Sequence, residues 1–187
     1  MTDRPYHHGN LRSALLTAAA TAITEKGPAA LSLRDLARRA GVSHAAPTHH
    51  FGDKTGLLTA LAAEGYTLLA DALGGAGDDL LESGVAYVRF AIEHRAHFEV
   101  MFQPGLYHRD DPQVAAARDR AGRSLTIALS ARPGQPPGQD SETAELAAWS
   151  MAHGFAALWL SGALPTAPDL DPEPLAKNVL GQLFDQP

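Results

Sequence analysis

Between Leu31 and Leu58 the chain reads LSLRDLARRAGVSHAAPTHHFGDKTGLL, a stretch that admits few folds. Leu33, Leu36 and Ala37 stand at i, i+3 and i+4, the spacing of a helix with one buried face, and Ala40 extends it. Ser32 is placed to cap that helix, with Asp35 three residues on, close to a capping box. Gly41 predicts its end, because glycine takes positive φ without steric cost. Val42 plugs the turn, and Ser43 is placed to cap a second helix, His44 to Phe51. Two short helices joined by a tight glycine turn make a helix-turn-helix. An αα-hairpin that only packs a core has the same spacing, and the outer surface separates the two. Arg34, Arg38 and Arg39 stand off the apolar face of the first helix, and the second presents His44, Thr48 and His49. Donors, acceptors and small side chains are what a helix lying in a major groove requires.

The rest of the chain repeats the helical period. A first helix is predicted from about Asn10 to Lys26, with Leu11, Leu15, Ala18, Ala19, Ala22 and Ile23 apolar and Gly27-Pro28 as the stop. A fourth helix is expected from about Lys54 to Leu73, broken by Gly74-Gly75-Ala76-Gly77. Five more follow, at about Asp78 to His94, Ala96 to Phe102, Gln113 to Ser130, Glu142 to Ser161 and Leu175 to Phe184. The Pro/Gly-rich stretch ARPGQPPGQDS, residues 131–141, is expected to be a disordered loop. No β-alternation of usable length occurs, so the expected fold is all-α, with about nine helices. A three-helix head is expected over residues 1–54, and a second helical domain over residues 55–187. The fourth helix links them, and the boundary is expected in its second half.

The run from SLRDLARRAGVS through HHFGDKTGLL, with YHHGNLRSALLTAAATAITEKG before it, resembles the DNA-binding domain of TetR-type transcriptional regulators. The likeness covers about the first 65 residues without a gap. It implies a recognition helix of His44-Ala45-Ala46-Pro47-Thr48-His49-His50. His44 and His49 are then expected at base edges, and Ala45 and Ala46 against a thymine methyl. Arg34 is the candidate for a bidentate guanine contact. Ser43, Thr48 and Lys54 fall where the family clamps phosphates, and Tyr6, His7 and His8 are expected near the backbone or minor groove. Thr48 departs from the family, in which an aromatic residue, commonly Tyr, holds that position; threonine keeps the hydroxyl and loses reach. Pro47 is expected to be harmless in the first helical turn, where its missing N–H is not needed. His50 and Phe51 are expected to pack the head.

The eighth helix, ETAELAAWSMAHGFAALWLS, is apolar almost all round. Such a helix must be covered on both sides. Together with Leu175, Val179, Leu180, Leu183 and Phe184 of the ninth, it predicts a four-helix homodimer interface, with burial inside a monomer as the alternative. Trp149, His153 and Gly154 form a Trp-x-x-x-His-Gly pattern. With FAIEHRAHFEVMF upstream, it resembles a C-terminal ligand-binding domain of one TetR subfamily, over roughly residues 78–185. That resemblance implies a homodimeric repressor, released from a palindromic operator by a small molecule held in a C-terminal cavity. Phe98, Met101, Phe102, Trp149, His153 and Phe155 are the candidate ligand-binding residues. Aromatic and soft apolar surface with one polar group suits an apolar, uncharged or weakly acidic effector, anchored on His153 with Trp149 stacked nearby. Simple core filling by these residues is the alternative.

Charge and chemistry narrow the function further. Residues 1–54 hold seven Lys/Arg against four Asp/Glu, a net of +3, so the remainder carries −9 of the chain's −6. A basic head on an acidic body suits a phosphate-binding partner. There is no cysteine, and no nucleophile elbow, P-loop, dinucleotide fingerprint or Cys/His zinc signature. No catalytic residue, metal or cofactor is therefore assigned, and the chain is expected not to be an enzyme. The rival reading is an all-α metal or haem carrier, or an enzyme, with a non-functional head. It rests on His94 and His97, which could share a metal with His153. No apolar run reaches the 18 or so residues of a membrane span, and the opening lacks a signal-peptide core, so a cytoplasmic location is expected.

Overall fold

The structure, a computed structural model, describes residues 8–131, 139–165 and 170–184. Among the described residues there are nine α-helices and no strand: α1 (His8–Lys26), α2 (Leu33–Arg39), α3 (Ala46–Phe51), α4 (Lys54–Gly75), α5 (Leu80–Glu93), α6 (Arg95–Met101), α7 (Pro112–Ser130), α8 (Gln139–Leu160) and α9 (Pro172–Phe184). A single 3-10 turn, Pro28–Ala30, follows α1. The chain divides into two compact units. One holds residues 1–64 and 96–114; the other holds 65–95 and 115–187. α4 is common to both, since the division falls after Glu64. No described helix is long and apolar enough to cross a membrane.

In the first unit, Leu15, Ala19 and Ile23 of α1, Leu36 and Ala37 of α2, and Leu57, Leu58 and Leu61 of α4 are all buried, and α1 packs against α2. Leu15, Leu36, Leu57 and Leu61 lose all solvent contact there. α2 ends as its glycine demands. Gly41 sits at φ +66, the Gly41 N–H donates to the Arg38 carbonyl, and the Val42 N–H donates to Ala37. That pair of reversed bonds is a Schellman cap, and it aims the chain into α3. The start of α2 differs from the expected capping box. Ser32 holds the N-cap position in extended backbone, but its side chain makes no cap bond. Asp35 turns instead to its own helix, bonding Arg38 at 2.6 Å and Arg39 at 2.8 Å. Two cations at i+3 and i+4 outcompete a single backbone N–H.

α3 is also shorter than the sequence predicts, beginning at Ala46 instead of His44. The cause is Pro47, which has no N–H to give the Ser43 carbonyl and whose ring would press against it. The Ser43 carbonyl accepts the Ala46 N–H at 3.0 Å instead, and Ala45 takes the N-cap position without a side-chain bond. Ser43 is therefore not a helix cap. The cap the sequence did not single out is Asp53, whose Oδ1 accepts the Gly56 N–H at 2.8 Å and starts α4.

The second unit is built around α5, which packs against both α8 and α9. Nine of its residues are buried, from Leu80 to Ala91, and Asp79 caps it by accepting the Glu82 N–H at 3.0 Å. Along its rim, Arg89 grips Glu173 of α9 through two bonds of 2.7 Å, and Lys177 pairs with Glu82. These pairs are exposed, so they fix register more than they stabilise. Arg120 of α7 bonds the Thr67 carbonyl and Asp71 of α4.

Candidate nucleic-acid interface and effector site

The head exposes polar side chains on α2, the turn and α3. Arg34, Ser43, His44, Ala45, Thr48 and His49 are all exposed, Ala46 is half-buried and Pro47 is buried beneath them. Electrostatics sorts the three arginines of α2. Arg38 is paired with Asp35, and Arg39 bridges Asp35 and Glu25 of α1 at 2.8 and 2.9 Å. The Arg38 and Arg39 guanidiniums hold Asp35 below the usual carboxylate range, and Arg39 does the same for Glu25. Arg39 itself is only 23% exposed along its side chain and ties α1 to α2. Arg34 has no ion pair among the described residues, so its whole fork of donors is left for a partner, whereas Arg38 gives one guanidinium nitrogen to Asp35 and Arg39 is tied at both ends.

Lys54, at the first position of α4, donates to the Ala29 carbonyl at 2.8 Å. One of its three N–H groups is committed to the fold and two remain for a phosphate. His50 and Phe51 are half-buried: rings run from His49 to His50 at 5.6 Å and on to Phe51 at 6.2 Å, and the Arg12 guanidinium lies 5.4 Å over the Phe51 ring. Tyr6 and His7 lie outside the described residues.

The second site lies in the other unit. Trp149 and His153, one turn apart on α8, meet Tyr87 of α5. The Trp149 indole N–H donates to the Tyr87 oxygen at 3.2 Å, and that oxygen lies 2.9 Å from His153 Nδ1. Burial holds the Tyr87 phenol far above its ordinary pKa, so it keeps its proton. With the oxygen accepting from Trp149, that proton is directed to His153 Nδ1, which leaves the imidazole hydrogen on Nε2. Burial also lowers the His153 pKa and favours the neutral ring that this arrangement needs. Tyr87 was not among the residues singled out from sequence.

The remaining candidates belong to both units. Phe155 is buried and stacks on Trp159 at 6.3 Å. Phe98 and Met101 are buried in the first unit, and Phe98 packs against Phe102 at 5.0 Å. Trp149 is 40% exposed. The three histidines of the metal reading engage different groups. His97 bonds Glu64 at 3.0 Å, His94 lies against the Phe90 ring, and His153 meets Tyr87. Among the described residues no group of three or more His, Cys, Asp or Glu side chains is gathered to hold a metal ion.

A head with a glycine-capped helix-turn-helix and an uncommitted arginine beside a polar second helix, joined to a helical body, defines the architecture of a bacterial one-component regulator. The chain belongs to the tetR family of bacterial regulatory proteins: that family's N-terminal model matches residues 15–61, and the tetracyclin repressor-like C-terminal domain matches residues 80–183. A protein of unknown function from Rhodococcus sp. RHA1 is 35% identical, with 98% of this chain and 96% of that one covered, at a TM-score of 0.74. The TetR family transcriptional regulator PfmR from Thermus thermophilus is 26% identical over 91% of this chain and 97% of its own, at a TM-score of 0.73. An HTH-type transcriptional repressor of Mycobacterium tuberculosis is 41% identical over 63 residues, 32% of this chain. The match spans about a third (34%) of that curated relative's length.

Proposed function

We propose that the chain is a homodimeric, ligand-responsive transcriptional repressor that binds a palindromic operator through α2 and α3. The observation that carries this reading is Arg34. It stands exposed on α2 without an ion pair among the described residues, while its neighbours Arg38 and Arg39 pair with Asp35 and Glu25, and His44, Thr48 and His49 are exposed after it. Arg34 reads a guanine, His44 and His49 meet base edges, Ala45 and Ala46 meet a thymine methyl, and Ser43, Thr48 and Lys54 hold phosphates. Tyr6 and His7 reach the backbone or minor groove.

Dimerisation through α8 and α9 is supported by the apolar surface one chain leaves exposed: Leu158 at 47%, Val179 at 42% and Trp149 at 40%. The effector is a mostly apolar molecule held near Trp149 and His153. His153, hydrogen-bonded to Tyr87, supplies the polar group that orients it. Because α4 belongs to both units, a change in the second unit reaches the head along one helix and alters the spacing of the two recognition helices. The domains of function are then the head, residues 1–54, and the ligand-binding and dimerisation body, residues 55–187.

Arg34→Ala tests the reading. On a duplex selected by the protein from a random pool, the substitution is expected to weaken binding by about 1–3 kcal/mol and relax the preference at one base per half-site. On unselected DNA the loss should be small. Equal losses on both would remove Arg34 from base recognition.

A further inference from the structure

α2 exposes two arginines at helical spacing, and we infer that Asp35 sets the specificity of the head by keeping one of them, Arg38, off the phosphate backbone. The inference rests on the DNA-binding role proposed above and adds to it a residue that touches no base. Arg34 and Arg38 stand four apart on α2, so their side chains share one face of the helix, and both are exposed. They differ in what they meet. Arg34 has no ion pair among the described residues, whereas Arg38 Nη2 donates to Asp35 Oδ1 at 2.6 Å. The other carboxylate oxygen, Oδ2, accepts the Arg39 Nε–H at 2.8 Å, and Arg39 reaches on to Glu25 of α1 at 2.9 Å. The charges of Glu25, Asp35, Arg38 and Arg39 cancel. Arg39 is anchored twice, and its side chain is only 23% exposed. Arg38 is 72% exposed, and Asp35 is its one ion-pair partner among the described residues. The Arg38 guanidinium, with Arg39, holds the Asp35 carboxyl below its ordinary range, so the carboxylate is charged at neutral pH.

Each arginine that neutralises a phosphate tightens binding to every sequence and adds about 0.9 to the slope of log K against log salt. Such a contact positions the protein and reads no base. A phosphate that approaches the remaining N–H groups of Arg38 also meets the Asp35 carboxylate, and the pair carries no net charge. Binding to random DNA, which depends on phosphate contacts, therefore stays weak, while Arg34 keeps its charge for guanine. The coupling in an exposed pair of this kind corresponds to about 1.5- to fivefold in an equilibrium constant. Release of Arg38 is expected to tighten binding to random DNA by a factor of that size per head. On the selected duplex Arg34 and the bases fix the register. There a second free arginine four residues on repels Arg34 and offers a competing fork of donors. Preference for the selected duplex falls as general affinity rises.

The test is a double-substitution cycle in the full-length chain: Asp35→Ala, Arg38→Ala and the two together. Each protein is titrated against the selected duplex and a random-sequence duplex, from about 50 to about 200 mM salt. Alanine suits a helix, and in Asp35→Ala the Glu25 carboxylate still holds Arg39. Asp35→Ala is expected to tighten binding to the random duplex by about 1.5- to fivefold per head and to steepen its salt slope by up to about 0.9 per head. It should also lower the preference for the selected duplex. Arg38→Ala in the native chain should leave the random-duplex slope nearly unchanged, whereas in the Asp35→Ala background it should abolish the gain. An Arg38→Ala that by itself flattens the native slope by about 0.9 per head would overturn the inference, because Arg38 would already sit on a phosphate. That comparison decides the matter even where Asp35→Ala does not fold. A gain that survives in the double variant, or a preference that Asp35→Ala leaves unchanged, would also overturn it. Equal losses in Arg34→Ala on both duplexes would remove Arg34 from base recognition and leave the control of Arg38 by Asp35 standing. Failure of the native chain to bind either duplex would overturn both readings.

Discussion

Removing one oxygen, in Tyr87→Phe, breaks both hydrogen bonds of the Trp149–Tyr87–His153 chain without opening a cavity. The two bonds differ in worth. A typical intramolecular hydrogen bond contributes about 0.5–1.5 kcal/mol net. Trp149 is 40% exposed, so its freed indole N–H regains water and that bond falls at the low end. His153 is less accessible, and its Nδ1 loses the Tyr87 hydroxyl as a donor. The expected loss is about 1–2 kcal/mol, or about 2–8 °C in melting temperature for a protein of this length. Thermal melts followed by Trp fluorescence and by circular dichroism measure it, and nitrogen NMR of the His153 ring reports the tautomer. The wild type should show the hydrogen on Nε2, and the variant a mixture. A variant that melts with the wild type and keeps the same tautomer would refute the reasoning about this chain.

Two further outcomes follow from the second unit. Because burial lowers the His153 pKa, the unfolded chain binds the proton more tightly than the folded one. Stability should therefore fall as pH drops below the unfolded histidine value of about 6.5, and His153→Gln should flatten that fall in melts against pH. An Asp at Leu158 or Val179 should convert the dimer to monomers or aggregates that no longer bind operator. Sedimentation that finds the unsubstituted protein monomeric at micromolar concentration would remove the dimer and the palindrome with it.

The head was readable because its signals are local. Gly27, Gly41 and the apolar period of α1 and α2 each act within one or two turns, and the helices end where these residues predict. The errors there were also local. Ser32 and Ser43 looked like caps, but Asp35 had Arg38 and Arg39 within reach on its own helix, and Pro47 moved the start of α3. The spacing of Asp35 with its two arginines is itself a readable helical pair, and it predicts the network that leaves Arg34 uncommitted. The second unit was less legible. Tyr87 and His153 lie 66 positions apart, and only the packing of α5 on α8 brings them together. In sequence Tyr87 is one more apolar residue of the fifth helix. For α8, periodicity shows a helix apolar all round without saying which face its own chain covers. The side chains of Leu183 and Phe184, and the expected loop at residues 131–141, fall largely outside the described residues.

The central claim is that two copies of this head read one inverted repeat, and selection from a random DNA pool tests it most directly. The protein should enrich an inverted repeat whose half-site centres lie about 34–36 Å apart or a related spacing, with a guanine at the Arg34 position of each half. Footprints should cover both halves together and require higher protein concentration in Arg34→Ala. A pool that returns no motif, or an isolated half-site bound by one chain, would contradict the account.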